Sequence, residues 1–374
     1  GENRAQERSL RSEHYPYGEH RLLDALLVTG MVHVVPLPTD EVVDVEDWAL
    51  LRAYPLEPGA SIADLPQGDW LLGFPLTVRG KVLGALLARE HTTSLRVRER
   101  RLEIIHGIAR QTSLAIQNEV LRREMVQNER MEQEIRLARQ IQETFLPSNL
   151  PSPEGWEIDV RWETARTVGG DFYDCFMLDE HRIGLVVADV SDKGLPAALY
   201  MTVTRTLIRS HQSEREDPAK VLKEVNALLF SESPESMFIT AVYAILDTRN
   251  GQVIYANAGH NRPLVYRQAS QTVEETAKGG MALGVLPDLE LENHTLELEA
   301  GDAMLMFTDG AFDTLSPSGE DFGEERLRAA FRSAGNLPAI GILALVDRAL
   351  TEFRQGAPLS DDITLLVVRR TPQE

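Results

Sequence analysis

Ile183-Gly-Leu-Val-Val-Ala-Asp189-Val-Ser-Asp-Lys-Gly194, followed by Leu195–Ser210, decides the fold. The apolar run before Asp189 reads as a buried strand, and the polar loop that closes it carries an acid. From Leu195 the apolar period changes. Leu195, Ala198, Leu199, Val203 and Leu207 fall on one stripe of a helix over 195–210, the face expected to meet a sheet. Outward from this unit the alternation continues. Helices are predicted at Ala219–Phe230 and Ile340–Arg354. Strands are predicted at Phe238–Leu246, Gln252–Ala256, Pro263–Tyr266, His294–Leu298, Ala303–Phe307 and Ile363–Val368. Many strands with few, clustered helices imply an α+β domain over residues 148–374.

Two zones precede it. Residues 98–147 hold no Pro before Pro147, and their apolar residues recur at helical spacing. Leu114, Asn118, Leu121, Met125 and Asn128 step by 4, 3, 4, 3, and so do Met131, Ile135, Ala138, Gln142 and Phe145. Such an a/d seam predicts a coiled-coil connector and a homodimer through it, the alternative being one amphipathic helix lying on its own domain. Between Asn128 and Met131 the step is three where four is due, so the coil is expected to overwind there. Leu146-Pro147 ends the helix. In residues 1–97, Trp70–Thr77 and Lys81–Ala88 read as a hairpin across Arg79-Gly80.

Composition narrows the function. The chain has 374 residues with 38 Lys+Arg against 58 Asp+Glu, a formal charge of −20. That disfavours nucleic acid and an anionic membrane surface as partners. No run of 18 apolar residues predicts a membrane span. Cys175 is the only cysteine, so an internal disulfide is impossible and a reducing, cytoplasmic setting is expected. The charged opening from Gly1 does not read as a signal peptide and suggests a fragment of a longer protein.

The informative residues are acids at strand ends. Asp171 follows Gly169-Gly170, Asp189 closes one strand, Asp309 closes Met304-Leu-Met-Phe-Thr, and Asp361-Asp362 open another. A single such Asp is ordinarily a turn former or a cap. Four at the same kind of place, with few basic residues near them in sequence, predict convergence on divalent cations. All-oxygen donors select a hard ion, Mg2+ or Mn2+.

Five ordered motifs carry a resemblance. Thr167-Val-Gly-Gly-Asp-Phe-Tyr-Asp174, Val187-Ala-Asp-Val-Ser-Asp-Lys-Gly194, Asn257-Ala-Gly-His-Asn-Arg-Pro263, Phe307-Thr-Asp-Gly310 and Ser360-Asp-Asp-Ile-Thr-Leu365 resemble those of PPM (PP2C-like) phosphatases of the SpoIIE/RsbU type. Leu137–Pro147 is similar to the helix that precedes the domain in that family. The resemblance implies an αββα sandwich with two Mn2+ or Mg2+ ions at one end. It implies that Asp189 bridges the metals, that Val190 offers a backbone carbonyl, and that Asp309 and Asp361 hold one ion. Asp171 is implied to reach a metal through water or in a weaker site. Asp174, His260 and Asp362 are implied to support the site. The chemistry implied is attack of a metal-activated water on phosphoserine or phosphothreonine, with Asp189, Asp309 and Asp361 as the catalytic acids.

Two departures stand out. The family's eukaryotic members carry a His in the second motif, where this chain has Ser191, Asp192 and Lys193. Arg166, five residues before Asp171, is the candidate for holding phosphate, the alternative being a solvated surface Arg. Cys175 lies in no activating motif and reads as a small buried hydrophobe. Residues 73–87, with the helix after them, resemble the later part of a GAF domain, which implies a partial sensory domain at 1–97. The substrate implied is a phosphorylated STAS-domain anti-sigma-factor antagonist in a partner-switching pathway. The alternatives are a catalytically degenerate scaffold that binds the partner without turnover, and a diguanylate cyclase. The second fails because Gly169-Gly-Asp-Phe comes too soon after the helix and leaves Asp189, Asp309 and Asp361 unexplained.

Overall fold

The computed structural model describes residues 21–37, 53–55, 69–90, 95–211, 217–232 and 237–372. The charged opening segment lies outside them. The chain divides into two compact units, Gly1–Arg130 and Met131–Glu374. The long helix runs through the division.

The first unit is a sheet covered on both faces. Its elements are α1 (Arg21–Thr29), β1 (His33–Leu37), β2 (Tyr54–Pro55), β3 (Asp69–Val78), β4 (Lys81–Glu90) and the start of α2 (Leu95–Phe145). The sheet order is β2-β1-β3-β4. Period-2 alternation sorts its side chains. Val35 and Leu71 pack with Leu22 and Leu26 of α1, while Val34, Leu72 and Phe74 pack with Ala109 of α2. The hairpin forms as predicted: Arg79 and Gly80 both have positive φ (48° and 78°), as a two-residue turn between twisted strands requires.

The second unit is an αββα sandwich. One sheet has the order β6-β7-β8-β9-β12, with β6 (Phe172–Met177), β7 (Arg182–Val190), β8 (Ile239–Asp247), β9 (Gln252–Ala258) and β12 (His294–Glu297). The other has the order β5-β14-β13-β10-β11, with β5 (Trp156–Glu163), β10 (Leu264–Arg267), β11 (Thr272–Glu275), β13 (Ala303–Phe307) and β14 (Ile363–Arg370). Helices α3 (Leu195–Ser210) and α4 (Pro218–Glu232) cover the first sheet; α5 (Glu324–Ala334) and α6 (Ala339–Arg354) cover the second. Parity builds three cores. In β7, Val186, Ala188 and Val190 face the helices, and Ile183, Leu185 and Val187 face the other sheet.

The helix over 195–210 forms where predicted, but its buried face overlaps the expected stripe only at Ala198 and, in part, Leu207. Ala197, Ala198, Met201, Thr204, Arg205 and Ile208 are buried, whereas Leu195, Leu199 and Val203 are 45%, 61% and 49% exposed. Two features outrank the apolar stripe. Alanines let the helix approach the sheet closely, and Arg205 is buried because an acid on β6 neutralises it.

Gln142 also departs from expectation. The heptad puts it on a coil seam, yet it is buried against Gly169 of the second unit. Leu146 of the same turn joins the core beneath α3 and α4.

Candidate metal centre

Strand parity delivers the acids to one end of the sandwich. Asp189 has the inter-sheet parity of Leu185 and Val187 but lies at the strand end, past the apolar core. Asp171 directly precedes β6, and the register that sets Phe172 opposite Ala188 brings it beside Asp189. Thr308 and Thr364 share the inter-sheet parity of Met304, Met306 and Leu366. Both hydroxyls donate to Asp171 Oδ2, at 2.5 and 3.0 Å, and Trp162 Nε1 donates to the Asp171 carbonyl at 3.0 Å. Asp309 opens a short 3-10 turn, Asp309–Ala311, just after β13, and Asp361-Asp362 sit just before β14.

Glycines make the approach possible. A Cβ on Gly169 would stand 2.5 Å from Asp362 Oδ2, and one on Gly170 would stand 2.9 Å from the Val190 carbonyl. A Cβ on Gly310 would overlap the Asp362 carbonyl. The backbone N–H groups of Ala165 and Gly170 donate to Asp362 at 2.7 and 2.9 Å, so Asp362 ties the Asp171 loop to β14.

The cluster is short of positive charge. Burial, then the Asp189 charge, pushes Asp171 well above the usual carboxylate range despite the Thr308 bond. Burial and then Asp309 push Asp189 up to about 7. Asp309 is raised by burial, Asp361 and Asp313; Asp362 is raised by burial, against the N–H bonds it accepts. One basic group reaches the cluster through the fold. Lys193, on the loop after β7, sets Nζ 2.7 Å from Asp361 Oδ2. Among the described residues, no three His, Cys, Asp or Glu side chains close into a ligand shell. The donor set nonetheless fits a hard divalent cation: oxygens only, desolvated, and repelling one another.

The remaining candidates separate by position. Asp174 has the opposite strand parity and points under α3. There Arg209 donates to both its oxygens, at 2.6 and 2.8 Å, and Arg205 pairs with it at 3.0 Å. His260 sits behind the acids. Its Nδ1 lies 2.7 Å from Thr240 Oγ1, and Thr240 is opposite Asp189 in the β7–β8 register. Asn257 clamps the His260 backbone through both N–H and C=O. Burial lowers the imidazole to about 4, opposed by the Phe307 backbone. Arg166 is exposed on the loop before Asp171. Cys175 is buried, and burial pushes its thiol up to about 12, which removes it as a nucleophile. Sequence reading missed Thr308, Thr364, Trp162 and Gln142. The two threonines carried a signal, since each continues the inter-sheet alternation into a polar position.

The fold of the second unit agrees with comparisons to known proteins. The family profile "Stage II sporulation protein E (SpoIIE)" matches residues 179–371, just over half the chain. The chain belongs to the SpoIIE family. Phosphoserine phosphatase RsbU of Bacillus subtilis is 30% identical over 244 residues, covering 63% of this chain and 70% of RsbU. Protein IcfG of Synechocystis is 30% identical over 265 residues, covering 63% of this chain but 41% of IcfG. Among solved structures, the SiaA-PP2C domain of Pseudomonas aeruginosa aligns with a TM-score of 0.57 at 25% identity, over 65% of this chain and 98% of that domain. The RsbU and RsbW domains of Rv1364c from Mycobacterium tuberculosis align with a TM-score of 0.52 at 25% identity, over 62% of this chain and 64% of that one. The αββα unit is therefore a PP2C-type serine/threonine phosphatase domain of the RsbU/SpoIIE type. No helix among the described residues is long and apolar enough to cross a membrane.

Proposed function

We propose that this SpoIIE-family chain is a divalent-cation-dependent protein phosphatase that hydrolyses phosphoserine or phosphothreonine on a partner protein. One observation carries the reading: acids from four strand ends repel one another at one mouth of the sandwich. Asp189, through its carboxylate, and Val190, through its carbonyl, would hold the ions. Asp309 and Asp361 are assigned to one ion, and Asp171 to a ligand position through the oxygen its threonines leave free. Two Mn2+ or Mg2+ ions held there supply an acidified water as nucleophile and positive charge for the phosphoryl oxygens. The chain's own groups do the rest. Thr308 and Thr364 orient Asp171, Asp362 ties the Asp171 loop to β14, His260 backs Asp189 through Thr240, and exposed Arg166 is assigned to the incoming phosphate.

RsbU is named a phosphoserine phosphatase, which supports the phosphoserine ester as substrate. The motif resemblance supports a phosphorylated STAS-domain anti-sigma-factor antagonist as the phosphoprotein. The first unit is assigned as a GAF-like sensory part, and the exposed Leu114, Met125 and Met131 of α2 support a homodimer through that helix; the single cysteine supports a reducing, cytoplasmic setting.

The test is phosphate release from a phosphorylated STAS protein in the presence of Mn2+. Release that requires Mn2+ and vanishes in Asp189→Asn supports the reading. Tight binding of the phosphoprotein without release supports the scaffold instead.

A further inference from the structure

Gln142 stands out on α2. Its neighbours Ile141 and Glu143 are exposed, yet Gln142 is 3% exposed. Its amide spans a single residue: Nε2 donates to the Gly169 carbonyl at 2.6 Å, and Oε1 accepts from the Gly169 N–H at 3.2 Å. A side-chain amide paired with the backbone N–H and C=O of one residue copies an antiparallel ladder pair. It fixes the peptide's orientation as well as its place. The far side of the same segment is held by Asp362, which accepts the Gly170 N–H at 2.9 Å. Gly169-Gly170 is thus gripped between Gln142 and Asp362, and Asp171 follows directly.

We infer that Gln142 is a positioning residue for the metal centre: its amide clamp on Gly169 sets where the Asp171 carboxylate stands. The inference rests on the phosphatase reading of that centre. Packing alone would not select Gln here. The side chain lies between Ala138 and Leu146 on one helix face, where an unbranched apolar residue fills the same space. What Gln adds is two bonds to a glycine that has no side chain of its own to anchor it. Groups that orient ligand-bearing segments typically change metal affinity 10–100-fold when removed.

The decisive variant is Gln142→Met, equal in length but unable to bond both Gly169 groups. Three measurements are made on the full chain: amide hydrogen exchange over Gly169–Asp171 without metal, Mn2+ binding by calorimetry, and the Mn2+ dependence of p-nitrophenyl phosphate hydrolysis. Exchange is expected to quicken at those amides, and Mn2+ affinity to fall about tenfold. At saturating Mn2+, kcat is expected to recover to near the parent value. A second variant, Gln142→Glu, keeps the acceptor for the Gly169 N–H and is expected to fall between the two. A folded Gln142→Met chain with unchanged exchange and unchanged Mn2+ affinity overturns the inference. So does a loss of kcat that excess Mn2+ does not restore. Quickened exchange in a chain whose parent neither binds Mn2+ nor turns over would uphold the clamp and overturn the phosphatase reading instead.

Discussion

Lys193 Nζ stands 2.7 Å from Asp361 Oδ2 and 3.1 Å from the Ser360 carbonyl, so an ammonium already flanks the acid cluster. A cation that takes Asp361 Oδ2 as a ligand competes with it. The pair is 41% and 37% exposed, which limits its strength to about 1 kcal/mol or less. Lys193→Met is therefore expected to tighten Mn2+ binding by up to about fivefold, read by calorimetry. Weaker binding in the variant would show instead that Lys193 holds Asp361 in its ligand position.

Asp189 couples the acid cluster to stability. Its folded pKa is raised from 3.8 to about 7, so the folded chain binds this proton more tightly than the unfolded chain. The resulting stability is fully present below pH 3.8 and is lost as pH rises through about 7, with a ceiling of about 4 kcal/mol. His260 titrates over the same range with the opposite sign, so the Asp189 contribution is read in metal-free protein as the difference between the parent and Asp189→Asn. Between pH 5 and pH 8 the parent is expected to lose stability relative to Asp189→Asn, and Mn2+ should restore it in the parent. The same variant is expected to lose more than about tenfold in phosphatase rate. Parallel pH profiles of the parent and Asp189→Asn would overturn the repulsion account.

Much of this site could be read from sequence because it follows alternation. Asp171, Asp189 and Asp309 each end or flank an apolar run, and the length of the run is enough to place them at strand ends. What was not legible is longer-ranged. Lys193 reaches Asp361 across 168 positions, and Gln142 reaches Gly169 across 27. No local pattern encodes either contact. The misread face of α3 has a related cause. Hydrophobicity alone favoured Leu195, Leu199 and Val203, but burial of Arg205 is decided by Asp174 on another element. A pairing across elements changes which face is inside, and periodicity does not see it.

Asp174 is 1% exposed and holds Arg205 and Arg209 of α3 to β6. Removing its charge leaves Arg205, itself 10% exposed, without a counter-ion. Asp174→Asn is expected to cost about 2–4 kcal/mol in urea unfolding. Because Asp174 faces the helix and not the acid cluster, kcat per folded molecule is expected to stay within about twofold. A stable variant with abolished turnover would place Asp174 in the chemistry.

His260 gives the opposite pH signature to Asp189. Its folded pKa is lowered from 6.5 to about 4, chiefly by burial, so the unfolded chain takes up this proton first. Its contribution is fully present above pH 6.5 and is lost as pH falls toward 4. Between pH 7 and pH 5 the loss is about 2 kcal/mol at most, at 1.36 kcal/mol per unit below 6.5. His260→Gln has no proton to gain there. In chelator, the parent is therefore expected to lose about 2 kcal/mol more stability than His260→Gln between pH 7 and pH 5. Asp189 is common to both proteins and cancels in the difference. Urea unfolding at four or five pH values measures it directly. Parallel pH profiles would mean that the imidazole takes up its proton within the folded chain, and the Thr240 contact behind Asp189 would then be a charged one.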